Sequence, residues 1–209
     1  MILIKKGRQP NRFLQYKRQP NASYQDLPSD IKEILKKSLL DEQKELCAYC
    51  MRKITSNDMK IEHYYSQSSE PDKQLEYLNL LAVCKGFEGK SNKQQTCDTK
   101  KGNRELTISP LNRGHMLTIS YKSSDGTIQS KLYANDLDKI LNLNQDELKK
   151  GRKSALNAFQ YFISKKHKEK SMKKGQVEKL LEKYQAKTGS SYKGIIIAYL
   201  EKKLKGAPS

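Results

Sequence analysis

No stretch of the chain approaches the roughly 20 consecutive apolar residues that a membrane span needs, and the first residues lack the apolar run of a signal peptide. A cytoplasmic protein is the expectation. Acidic side chains are scarce: 23 Asp and Glu stand against 41 Lys and Arg, for a formal net charge of +18. A polyanionic partner, DNA or RNA, is the natural counterpart of that imbalance, the alternative being a basic protein that is merely well solvated. No internal repeat is present. Cysteines number only four, and in a reducing compartment paired thiols are more readily metal ligands than disulfides.

Residues 1–28 open with Ile2, Leu3 and Ile4, then turn basic and are punctuated by Pro10, Pro20 and Pro28, which predicts an extended arm. Over residues 29–46, Ile31, Ile34, Leu35, Leu39 and Leu40 recur at helical spacing, with Ser29 or Asp30 placed to cap the first turn. From Cys47 to about Pro110 the chain is loop-rich and polar, which suits a small module whose core is supplemented by metal. Short strands are expected at 58–64 and 77–84 and a short helix within 94–106. Beyond Pro110, runs at 116–121 and 127–132 flank Asp125-Gly126 as a hairpin, and helices follow at 146–168, 176–186 and 192–204. The fold class is therefore α+β, divided into an arm (1–28), a module (29–110) and a mostly helical basic region (111–209). From Lys149 onward 17 Lys and Arg face 4 Asp and Glu, so thirteen of the eighteen excess positive charges lie in this last region.

Cys47-Ala48-Tyr49-Cys50 places two thiols on one side of a tight turn, and Cys84 and Cys97 follow with twelve residues between them. Four thiolates can enclose a tetrahedral zinc, which would replace part of the missing apolar core. Unlinked buried thiols or a redox pair are the alternatives, though a thioredoxin-like strand and helix around Cys47 is not supplied.

Between the pairs lies Lys60-Ile61-Glu62-His63-Tyr64, an acid followed by a histidine at the end of an expected strand. Adjacent strand residues face opposite ways, so Glu62 can address a metal while His63 points toward a water. Cleavage of a phosphodiester needs a deprotonated water, a Lewis acid and positive charge near the phosphate. His63 can be the base, Glu62 and Asp98 offer hard oxygen ligands suited to Mg²⁺ or Mn²⁺, and Lys101 or Arg104 could contact phosphate. Asp98 also suits a helix cap, and Asn103 is a second candidate ligand. Tyr64 and Tyr65 could stack on substrate or simply pack, and His115 and His167 read as solvated surface.

The order Cys-x-x-Cys, acid-His, Asn79-Leu80, Cys84 and Cys97-Asp98-x-x-Lys101-Gly102 resembles the HNH endonucleases. That resemblance implies a ββα-metal core. It makes His63 the general base, Glu62 and Asp98 the ligands of a catalytic metal, and Asn79 the residue that holds the strand and loop orienting the base. Outside this core, Met1 to Lys5, the Leu27-Pro28 entry, Leu39-Leu40-Asp41-Glu42-Gln43 and Leu141-Asn142-Leu143-Asn144 resemble the PtuB-type HNH proteins of Septu and retron anti-phage systems. This implies an ATPase partner of the PtuA type and, in the retron setting, a reverse transcriptase with its RNA–DNA product. The substrate implied is phage DNA or RNA, transfer RNA included. The arm 1–28 becomes a docking segment, unless it folds onto the protein's own body. A non-catalytic zinc-stabilised binding module, or a scaffold subunit with a degenerate site, is the alternative function.

Overall fold

A computed structural model describes residues 1–166 and 172–205; His167 and the end of the helix expected over 146–168 lie outside the described residues. Helix α1 spans Asn11–Lys17 and helix α2 spans Ser29–Glu42, where Ile31, Leu35, Leu39 and Leu40 are buried along one face. Pro10 and Pro28 each precede a helix, a position where a missing N–H costs nothing, and neither helix has a side-chain cap. The cap expected from Ser29 or Asp30 is corrected accordingly, since both lie inside the first turn.

The N-terminal segment is not an extended arm. It buries Met1, Ile4, Phe13, Tyr16 and Leu27, and the Ile4 amide donates to the Pro110 carbonyl at 2.9 Å. The Lys6 ammonium is 3.0 Å from the Glu42 carboxylate, donates to the Leu80 carbonyl at 3.1 Å, and lies 3.7 Å over the Tyr77 ring. Its apolar and cationic groups thus have partners on the chain's own body.

Strands β1 (Met59–His63) and β2 (Leu80–Cys84) form an antiparallel pair in which Met59 lies opposite Cys84 and His63 opposite Leu80. Every position of β2 is buried, which accounts for its unbroken apolar run. The strand begins three residues later than expected because Tyr77–Asn79 coils into a tight 3₁₀ turn. Helix α3 (Cys97–Lys101) packs against β2, with Thr96 preceding it and Asp98 inside its first turn, so Asp98 is not the cap.

The second hairpin is shorter than expected. Helix α4 (Arg113–Leu117) takes Met116 and Leu117, its first turn started by the Asn112 side chain accepting the His115 amide at 3.2 Å. Only β3 (Ser120–Tyr121) and β4 (Ile128–Gln129) pair. Gly126, at φ +78°, lies so close to the Lys149 carbonyl that no Cβ fits.

Helices α5 (Asp146–Lys166), α6 (Lys174–Ala186) and α7 (Lys193–Lys205) bury Leu156, Phe159, Val177, Ile195, Ile196 and Leu200 in a core of their own. The first core runs from Met1 to Leu148 and takes in Ile128, Leu137, Leu141 and Leu143, so it crosses the division at residue 110 and ends along α5. Helix α7 starts on the Cys47–Cys50 turn: the Tyr192 amide donates to the Met51 carbonyl at 2.7 Å, and a Cβ on Gly194 would stand 2.7 Å from the Met51 sulfur. Among the described residues no helix is long and apolar enough to cross a membrane.

Candidate active site and metal centre

Cys47 and Cys50 lie on a turn closed by the Met51 amide donating to the Cys47 carbonyl at 3.0 Å and the Cys47 amide to that of Arg52 at 2.9 Å. Cys84 ends β2 and Cys97 opens α3. The twelve-residue spacing that separates them is a loop pinched at its base, where the Thr96 amide donates to the Gly86 carbonyl at 2.9 Å. Gly86, at φ +55°, leaves no room for a Cβ beside the Thr96 carbonyl.

All four thiols are buried and free of disulfides, with sulfurs 3.9 Å (Cys47–Cys97), 3.7 Å (Cys50–Cys84) and 3.7 Å (Cys84–Cys97) apart. Tetrahedral bonds of about 2.3 Å from one centre place sulfurs roughly 3.8 Å from one another. With all four sulfurs within 4.8 Å of one another, the cluster is compatible with a bound metal such as zinc. Among the described residues it is the only convergent set of three or more Cys, His, Asp or Glu ligands.

Glu62 and His63 leave β1 toward different neighbours. The Glu62 carboxylate is buried, accepts from the Tyr49 hydroxyl at 3.0 Å, and pairs with the Lys101 ammonium at 2.8 Å, the two side chains being only 4% and 1% exposed. Burial, reinforced by the neighbouring Asp98 carboxylate and opposed by Lys101, pushes the Glu62 carboxyl up to about 9. With Lys101 on Glu62 and only a distant Lys60 near Asp98, the raised Glu62 carboxyl holds a proton that a cation could replace. Asp98 is partly exposed and 4.0 Å from the Lys60 ammonium, which pairs more closely with Glu88 at 2.6 Å.

The His63 ring lies on the other side. Its Nε2 is 2.9 Å from the Gln74 carbonyl oxygen. A carbonyl only accepts, so Nε2 carries the hydrogen and Nδ1 is the bare nitrogen, 3.4 Å from the Gln67 amide nitrogen. The Tyr24 ring meets the imidazole edge-on, centroids 4.4 Å apart and planes at 87°. Burial, with Lys101 nearby, lowers the pKa of His63 despite the Gln74 bond, which favours the neutral ring, and Nδ1 can take a proton once the long Gln67 contact gives way.

Asn79 is buried between the strands' ends and the loop over residues 64–79. Its side-chain oxygen accepts the Tyr65 amide at 2.7 Å, and its amide donates to the carbonyls of Tyr65 (3.0 Å) and Lys73 (3.1 Å). Lys73 precedes Gln74, so this clamp fixes the carbonyl that holds His63.

Lys101 is placed differently from the phosphate contact that the sequence suggested. Its ammonium donates to the His63 carbonyl at 3.1 Å as well as pairing with Glu62, and the side chain is buried away from solvent. Arg104 is exposed, with its guanidinium donating to the carbonyls of Lys100, Lys101, Lys139 and Ile140. Asn103 is exposed. Tyr64 is a packing residue whose hydroxyl donates to the Leu106 carbonyl at 2.9 Å, while Tyr65 stays 43% exposed. His115 is half-buried and accepts the Ser109 amide on Nδ1 at 3.0 Å, so it anchors a turn. Tyr24, Tyr49, Gln67 and Gln74 were not singled out by sequence reading. Tyr49 had a signal in its place between two cysteines, whereas Gln74 acts through a carbonyl that leaves none.

An antiparallel strand pair followed by a short helix, with acid-His ending the first strand, Asn entering the second and Asp in the helix, is compatible with an HNH-type α+β fold. The chain is similar to a protein of Vibrio cholerae serotype O1 biovar El Tor named "Retron Vc95 putative HNH endonuclease", with 28% identity over 144 residues, 64% of this chain and 68% of the relative. No family model matches the chain. The similarity supports a nuclease, with nucleic acid as its class of substrate.

Proposed function

We propose that the chain is a metal-dependent HNH nuclease that hydrolyses phosphodiester bonds of DNA or of RNA such as transfer RNA. The observation that carries this reading is His63: a neutral imidazole anchored at Nε2, with Nδ1 unprotonated and held only by a long contact from Gln67, on the strand that also carries Glu62 and faces Asp98 of α3. In this reading His63 Nδ1 takes the proton from a water whose oxygen attacks phosphorus, while the bond to the leaving oxygen breaks. Glu62 and Asp98 would hold Mg²⁺ or Mn²⁺, which supplies Lewis acidity at the phosphoryl oxygen and the leaving group. Asn79 holds the loop that aims His63, and Lys101 balances charge on Glu62 rather than touching phosphate. Arg104 remains the candidate phosphate contact, and the four cysteines hold structural zinc.

The retron named in the relative, together with the PtuB-type resemblance, supports a cytoplasmic effector in anti-phage defence. It would work with a PtuA-type ATPase and, in a retron, with the reverse transcriptase and its RNA–DNA product. A non-catalytic zinc-stabilised binding or scaffold subunit is the second reading. One observation favours it: the Lys101 ammonium sits on the Glu62 carboxylate that a catalytic metal would need.

The test is incubation with plasmid DNA and total RNA in Mg²⁺ or Mn²⁺, with and without any ATPase encoded beside it. Cleavage that falls on the order of 10²–10⁴-fold in His63→Ala is expected. Full cleavage by His63→Ala would sink the assignment, and binding without cleavage under every condition would favour the second reading.

A further inference from the structure

We propose that Tyr24 is a positioning residue for His63, so that a residue of the N-terminal segment, outside the strand pair and helix, completes the base. The inference rests on the reading of His63 as the proton acceptor.

A histidine ring turns about a broad, soft χ2 torsion, and its two hydrogen bonds, a firm one from Nε2 to the Gln74 carbonyl at 2.9 Å and a long one from the Gln67 amide to Nδ1 at 3.4 Å, act only through the ring nitrogens. Tyr24 supplies a further constraint. Its ring stands edge-on to the imidazole at 4.4 Å and 87°, which blocks the ring from swinging about that bond. The Tyr24 backbone amide also donates to the Gln74 side-chain oxygen at 2.9 Å. Tyr24, Gln74 and His63 therefore close a triangle in which one residue walls the ring and steadies the group that anchors it.

Tyr24 is itself held from behind. The preceding Ser23 carbonyl accepts the buried Tyr16 hydroxyl at 2.7 Å, and the Lys6–Glu42 pair ties the segment to α2. None of the contacts to His63 or Gln74 uses the Tyr24 hydroxyl. A phenyl ring in its place preserves all of them.

A general base works only when held within about 0.5 Å of its productive position, and a displacement of about 1 Å costs on the order of 10²-fold. Tyr24→Ala is expected to lower kcat roughly 10–100-fold while KM stays within about twofold. Tyr24→Phe should restore kcat to within about twofold of the unaltered protein. Should Tyr24→Ala not fold, Tyr24→Leu fills the space without the flat edge and takes its place. An independent readout is the ¹⁵N spectrum of the imidazoles at alkaline pH, simplified by the chain's three histidines. The unaltered protein should show His63 with its hydrogen on Nε2, and Tyr24→Ala a mixture of tautomers. Unchanged kcat together with an unchanged His63 tautomer in both the Ala and Leu variants would overturn the proposal. If the unaltered protein cleaves no nucleic acid, the nuclease reading fails by itself, and the tautomer comparison still decides whether Tyr24 positions His63.

Discussion

The strand pair carries two clusters, one near each end, and helix α3 runs from one to the other, since Cys97 opens it and Lys101 closes it. At the Cys84 end four like sulfurs converge within 4.8 Å of one another, three of the separations being 3.7 to 3.9 Å. At the His63 end the groups are unlike and unevenly matched: two carboxylates, one ammonium, a phenol and a neutral imidazole facing away from them. The first cluster is closed and needs one ion to be complete. The second holds a carboxyl whose proton a cation could replace and keeps a bare nitrogen, which is what chemistry requires and structure alone does not.

Three experiments would break or sharpen this contrast, beginning with the largest effect. Removing metal by chelation, or replacing a ligand as in Cys84→Ser, should collapse the first core, because binding at such sites is worth on the order of 10 kcal/mol and is folding free energy. Metal content should fall from about one equivalent per chain toward none, and the thermal transition should move down or vanish. An unchanged transition in metal-free protein would mean the sulfurs are only packed.

Next is the Glu62–Lys101 pair. Glu62→Leu removes the acceptor oxygens from the buried Lys101 ammonium and should cost about 3–5 kcal/mol in urea unfolding. A Glu62→Leu, Lys101→Met double variant should regain most of that stability while remaining unable to cleave. Recovery of cleavage in the double variant would exclude Glu62 as a ligand.

The smallest effect belongs to the other core, where Lys193 is the buried cation. Its ammonium donates to the carbonyls of Gln185 at 3.1 Å and Lys187 at 2.7 Å, and burial lowers its pKa from 10.5 to about 8. Between those values the unfolded chain binds a proton that the folded chain gives up, so this group adds stability as pH rises from about 8 toward 10.5. Several tyrosines with raised values act in the opposite sense, so the measurement is the difference between the unaltered protein and Lys193→Met across that range. An equal pH slope in both would remove Lys193 from the account.

How far the sequence could be read differs by region for physical reasons. The β1–β2–α3 unit was legible because the cysteine pairs bound it and the run from Leu80 to Cys84 is buried at every position. Helix α2 was legible from its spacing. The N-terminal segment was misread because Pro10 and Pro28, taken as marks of extension, stand where proline starts a helix. Lys101 looked like a phosphate contact because nothing in a sequence shows that a lysine one turn after Asp98 faces a buried glutamate across the strand. The carbonyls of Lys73 and Gln74, which carry Asn79 and His63, belong to residues whose side chains gave no hint of that use.

Helix α7 begins on the cysteine turn, held by Met51 at φ +63° immediately after Cys50. The turn is therefore one of the places where the two cores meet, alongside helix α5 and Tyr121, which packs against both. An ion held by Cys47 and Cys50 would therefore also anchor the start of the helix that carries Lys202, Lys203 and Lys205 in its last turn.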